Sequence, residues 1–243
     1  MQKAIFNIQN ETDFKRCALQ VFKHQFENNR VYRSFCDLLY IHPSEVKEVA
    51  QIPFLPIQFF KTHQVLSTNQ SVQETFSSSG TTGAQVSRHL VTDLSWYKTS
   101  YTKAFEHFYG PIEEFTVLGL LPNYLEREGS SLIYMVNDFI HKSNKPKSGF
   151  YLDNLSELSK TLIALDQQGE KVLLIGVTFA LLDLIESQTF TLKNTVIMET
   201  GGMKGRRKEM IREELHEILA AGFGVSKIHS EYGMTELLSQ GYS

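Results

Sequence analysis

The chain has 243 residues, 42% of them apolar and 21% charged, and a net charge of −3 from 24 Lys and Arg against 27 Asp and Glu. This is ordinary usage for a globular protein of one or two domains; it excludes a disordered tail, a collagen-like repeat and a disulfide scaffold. The absence of a basic excess argues against a nucleic-acid partner. Cys17 and Cys36 are too few for a disulfide framework or a zinc site and read as reduced thiols. The N-terminal MQKAIFNIQNETDFKR has no apolar signal-peptide core, and no apolar run approaches the ~18 residues that a membrane span needs. The expectation is a cytoplasmic protein without a membrane span.

Residues 1–70 read as a helical N-terminal region packed on a main α/β domain over 71–243. Phe14, Ala18, Val21, Phe22 and Phe26 share one face at helical spacing, with Thr12 or Asp13 as cap, and a second helix opens at Ser44. Pro53 and Pro56 then force an extended apolar connector over 52–60. A strand is expected over 86–91. Thr92 or Asp93 caps the helix after it, whose Tyr97, Tyr101, Ala104 and Phe108 form a core stripe. Short apolar runs at 115–121, 172–177 and 195–198 read as buried strands, and a last strand lies near 225–229. Helical patterns fall at about 130–142, 155–168, 179–187 and 206–221, the last with Gly222 just past its end. Apolar strands alternating with helices predict an α/β fold of layered, parallel-rich sheets flanked by helices, with ligands beyond the carboxyl ends of the strands.

Three stretches carry chemistry. In Phe76-Ser77-Ser78-Ser79-Gly80-Thr81-Thr82-Gly83-Ala84, small residues let backbone N–H groups and hydroxyls converge on a phosphate. It is neither a Walker A loop nor a dinucleotide fingerprint. A flexible linker has the same composition, but the ordered elements expected directly after it argue against that reading. Met198-Glu199-Thr200-Gly201-Gly202-Met203 ends a strand in paired glycines, which serve either close backbone approach to a ligand or a tight turn. The Lys204–Lys208 basic run behind it reads as a solvated face. His229-Ser230-Glu231-Tyr232-Gly233-Met234-Thr235-Glu236 offers an aromatic ring for stacking, a hydroxyl, and a carboxylate suited to Mg²⁺ or to a helix start. No G-x-S-x-G elbow is present, and His216-Glu217 lacks the second histidine of a zinc-protease helix because Ala220 stands in its place.

Taken in order, Ser-Ser-Ser-Gly-Thr-Thr-Gly, the strand-end Gly-Gly and Tyr-Gly-Met-Thr-Glu resemble the adenylate-forming (acyl-activating) enzyme superfamily. Ile52–Lys61 and Leu121–Leu132 look most like its acyl-protein synthetase (LuxE-type) branch. The resemblance runs across nearly the whole chain. It implies a ligase that activates a carboxylate with ATP and Mg²⁺ to an acyl-adenylate and passes the acyl group to a protein or thiol acceptor. It assigns Ser78, Ser79, Gly80, Thr81, Thr82 and Gly83 to the β- and γ-phosphates, and Gly201, Gly202 and Met203 to the adenosine pocket. Tyr232, followed by Gly233 and Met234, would stack on adenine, Thr235 would touch the α-phosphate, and Glu236 would bind the metal. Pro122, Asn123 and Tyr124 would shape the acyl pocket. A fatty, aryl or sugar-linked acid is compatible with these motifs.

The chain departs from the superfamily in running Ala84-Gln85-Val86-Ser87-Arg88 after the phosphate loop, where many members have Pro-Lys-Gly. The family's ribose-binding aspartate, its C-terminal lid with the catalytic lysine, and the acyl-accepting cysteine would lie beyond Ser243, so the fold expected is an adenylate-forming N-terminal domain lacking that lid. Two function classes follow: an ATP-dependent acyl ligase, and a non-catalytic module that binds nucleotide or acyl group.

Overall fold

Asn10 opens the first long helix of this computed structural model, its side chain accepting a hydrogen bond from Asp13 N at 2.9 Å. The structure describes residues 2–78, 85–122, 129–152, 154–201, 207–208 and 210–243. They fall into two units, Met1–Ser100 with Met234–Leu238, and Tyr101–Gly233 with Ser239–Ser243.

The first unit begins with α1 (Gln2–Ile5), α2 (Glu11–Asn28) and α3 (Arg30–Leu38). Asn29 both ends α2 and caps α3. Its N–H donates to Gln25 O at 2.8 Å and its side chain accepts from Tyr32 N at 3.1 Å. The second helix therefore starts at Arg30 and not at the expected Ser44. Ser44 instead sits in a turn, its N–H directed at His42 Nδ1. The core of this unit is built by Phe22, Phe26, Tyr32, Cys36 and Val46, with Leu19, Ile52 and Leu55 packed against them. After a 3₁₀ turn at Val49–Gln51 the connector has no regular structure over 53–56 and closes in the single turn of α4 (Phe59–Thr62), inside the stretch expected to be extended. β1 (Glu74–Ser77) and β2 (Arg88–Val91) then pair antiparallel, with Phe76 opposite His89. α5 (Leu94–Tyr109) follows, and the second unit begins within it at Tyr101. On it Tyr97 and Tyr101 are buried, but Phe108 is 59% exposed and Phe105 takes the core position, because the buried stripe continues at a spacing of four.

The second unit is a six-stranded sheet in the order β4-β3-β5-β6-β7-β8. Its strands are β3 (Thr116–Leu120), β4 (Gly149–Phe150), β5 (Val172–Val177), β6 (Thr195–Thr200), β7 (His229–Gly233) and β8 (Gln240–Tyr242). All pairs are parallel except β7–β8, so the sheet is mixed. Every residue of β3 and β5 is buried, as expected for central strands covered on both faces. The crossovers are α6 (Ser131–Ser143), α7 (Leu155–Gln167), α8 (Thr178–Ser187) and α9 (Arg212–Phe223). α9 ends at Gly224, in the left-handed region at φ 66°, and not at Gly222. Gly222 has a packing role: a Cβ there would lie 2.6–2.8 Å from Ile185. Winding runs from β3 outward to β4 and then back through β5 to β7. The topological switch therefore falls between β3 and β5, where such sheets open a ligand crevice.

Candidate functional site

In the first unit the serine- and glycine-rich stretch joins two antiparallel strands. Ser78 N donates to Ser87 O at 3.1 Å, and Ser87 N donates to Ser78 Oγ at 2.9 Å, extending the β1–β2 ladder by one pair. The Ser78 hydroxyl thus anchors the base of the connection. Ser79, Gly80, Thr81, Thr82 and Gly83 lie outside the described residues.

Two positions further on, His89 links this hairpin to the segment carrying Thr235 and Glu236. His89 Nδ1 is 3.0 Å from Thr235 O, a contact that places the proton on Nδ1 and leaves Nε2 as the acceptor nitrogen. Burial lowers the His89 pKa, against the opposing effects of the Thr235 carbonyl and the Glu236 charge, so the ring is neutral at pH 7. Phe60 packs edge-on against it at 5.4 Å. A turn closed by Leu237 N donating to Met234 O holds Thr235 and Glu236. Glu236 is partly buried, and among the described residues it has no hydrogen-bond or ion-pair partner. An uncommitted carboxylate beside a hydroxyl is a donor set suited to a hard, oxygen-seeking cation and the phosphates it carries.

In the second unit two carboxylates are buried at the carboxyl ends of neighbouring strands. β6 and β7 pair Glu199 with Ser230 and Thr200 with Glu231. Ser230 Oγ donates to Glu199 Oε1 at 2.6 Å, and Thr178, the first residue after β5, donates to Glu199 Oε2 at 3.3 Å. His216 Nε2 from α9 stands 3.6 Å from Glu199 Oε1. Thr200 Oγ1 donates to Glu231 Oε2 at 2.6 Å. Burial pushes the Glu231 carboxyl up to about 7, the neighbouring Glu199 charge adds to the rise, and the Thr200 hydrogen bond opposes it. Beyond these pairs the chain turns. Gly201 takes φ 73°, a left-handed conformation that a side chain would strain. Gly233 has a different reason to be glycine: a Cβ would come within 2.9 Å of Glu231 Oε1 and 3.1 Å of Gln240 Nε2. The Tyr232 ring is 62% exposed and open to stacking.

Pro122 follows β3 at the switch between β3 and β5. Asn123, Tyr124, Gly202 and Met203 lie outside the described residues. The sequence gives no cue to His89, whose partner is 146 residues away. Nor does it mark Glu199 and Glu231 as a buried pair, although both stand inside stretches singled out for other residues. Strand-end position was the available signal: a glutamate in a strand with buried neighbours needs partners.

A mostly parallel sheet flanked by helices makes this an α/β protein, and its buried carboxylates and hydroxyls gather at the strand ends. The chain belongs to the LuxE acyl-protein synthetase family, whose family model matches residues 4–243. It is similar to the long-chain-fatty-acid–luciferin-component ligase of Photorhabdus luminescens, 31% identical over 70 residues that make up 28% of this chain and 60% of that relative. The chain thus spans about 60% of the length of the curated relative it matches.

Proposed function

We propose that this chain serves as an acyl-protein synthetase, a cytoplasmic ligase that activates a long-chain fatty acid with ATP and transfers the acyl group to a protein or thiol acceptor. The observation that carries the reading is the family match across residues 4–243. The name of the similar Photorhabdus ligase supplies the fatty acid.

In this reading a carboxylate oxygen bonds to the α-phosphorus of ATP, the bond from that phosphorus to the bridging oxygen breaks, and pyrophosphate leaves. The acceptor nucleophile then takes the acyl group and releases AMP. Mg²⁺ would supply charge neutralisation for the phosphates. The chain's own residues bind and orient. Glu236, uncommitted among the described residues, suits the metal, and the Thr235 hydroxyl suits the α-phosphate. The open ring of Tyr232 suits adenine. By resemblance, Ser78, Ser79, Gly80, Thr81, Thr82 and Gly83 take the outer phosphates, and Gly201, Gly202 and Met203 line the adenosine pocket, with Gly233 and Met234 beside it. Positioning and electrostatics do the work, with no general acid or base required in the activation step. The test is exchange of labelled pyrophosphate into ATP. The expected result is exchange that depends on a long-chain fatty acid. Exchange with no acid from hexanoate to hexadecanoate overturns the reading.

A further inference from the structure

Helix α2 carries more apolar surface than its core uses. Leu19, Phe22 and Phe26 pack into the core of the first unit, whereas Phe14, Cys17, Ala18 and Val21 follow the i, i+3, i+4, i+7 rule on a second stripe. That stripe faces a cleft of about 830 Å³. Ile52 and Leu55 of the connector, Leu90 of β2 and Trp96 of α5 form other parts of its wall. At one point Gln25, Asn29 and Ser67 line it but satisfy one another, since Ser67 Oγ donates to Gln25 Oε1 and Asn29 Nδ2 lies 3.3 Å from the same oxygen. Thr68, Gln70, Thr92 and Asp93 add polar atoms elsewhere in the lining, and His89 and Glu236 bring a ring nitrogen and a carboxylate together on either side of the Thr235 contact.

We infer that this cleft is the site of the fatty-acyl chain, which lies along the Phe14–Val21 stripe of α2 with its carboxylate end toward His89 and Glu236. The inference deepens the reading above and rests on it for the identity of the ligand. Three features favour this occupant. The volume suits one small molecule, since such sites run to ~300–1,000 Å³. The walls are aliphatic and aromatic, matched to a methylene chain. His89 and Glu236 meet at one part of the lining, and Glu236 is the residue proposed above for the metal, so a chain lodged here presents its head group to the chemistry.

Trp96 is the chain's single tryptophan and lines the cleft, which makes the intact protein its own reporter. The experiment is titration with a dibrominated octadecanoic acid, whose bromines quench an indole they touch, without nucleotide present. Quenching of Trp96 that unlabelled hexadecanoate reverses is expected. Across hexanoate, decanoate and tetradecanoate, competition should tighten by about fourfold per methylene, the equivalent of ~0.8 kcal/mol per buried CH₂. Ala18→Phe, which fills the cleft, should weaken the brominated acid at least tenfold. Binding detected by calorimetry without quenching, or affinity independent of chain length, overturns the site whether or not the variant folds. The two readings fail separately: quenching without acid-dependent pyrophosphate exchange removes the ligase and keeps the site, and exchange with long-chain acids without quenching does the reverse.

Discussion

Glu231 is held at the end of β7 by Thr200 in a setting that burial makes unfavourable for charge. Its carboxyl, pushed from 4.5 to about 7, keeps a proton in the native state that the unfolded chain has already released between those values. The unfolded state then binds fewer protons, so stability falls as pH rises through that window, by about 3 kcal/mol for a gap of this size. Glu231→Gln keeps an acceptor for Thr200 and removes the titration. The variant should melt alongside the parent near pH 4.5 and several degrees above it at pH 8. Parallel melting curves for the two proteins across the range would show that Glu231 does not titrate there. The sequence places this glutamate in a motif but not its burial, because burial comes from β6 and the Thr200 register, which no local pattern encodes. Tyr232 beside it is exposed because the residue that follows a buried strand position faces the other way.

Element by element, the strands of the second unit are legible because apolar runs over Val117–Leu120 and Val172–Val177 have no use except in a covered sheet. Helix ends are less so. Asn10 takes the cap expected of Thr12 or Asp13, and one residue, Asn29, splits the N-terminal helical region where composition shows no break. At the end of α9 two glycines competed. Gly222 is there for Ile185, and Gly224 for its backbone: φ is 66° and a Cβ would meet Phe190 O at 2.5 Å. Gly224→Ala therefore combines left-handed strain with a clash against rigid backbone and should cost about 3 kcal/mol. Gly110 has φ 87° but nothing within 4 Å of a Cβ. Gly110→Ala should cost only about 1 kcal/mol, so thermal melting should fall by roughly 6–12 °C for the first and 2–4 °C for the second. Equal losses at both positions would mean that the Phe190 contact relaxes without cost.

For the molecule as a whole, the informative feature is how chain segments are shared. Residues 234–238, which leave β7 and return to β8, belong with the N-terminal unit, where the Thr235 carbonyl meets His89. A motif near the C-terminus and a hairpin that ends at Val91 are thereby brought to one place, although the contacting residues lie 146 positions apart in the chain. The resemblance that joined them names ligands, and ligands that bind only the folded state stabilise it. Mg·ATP at 100 times its Kd should add about 2.7 kcal/mol, a rise in melting temperature of roughly 5–10 °C for a chain of this length. The same scan with AMP separates the roles of the residues. With Glu236 as metal carboxylate, Glu236→Gln should lose most of the Mg·ATP shift and keep the AMP shift, which depends on the adenosine contacts. Loss of both shifts would move Glu236 from the metal to the fabric of the pocket. A parent protein that no nucleotide stabilises would remove the nucleotide site from Thr235 and Glu236 and leave the His89 contact as a structural tie between β2 and the β7–β8 connection.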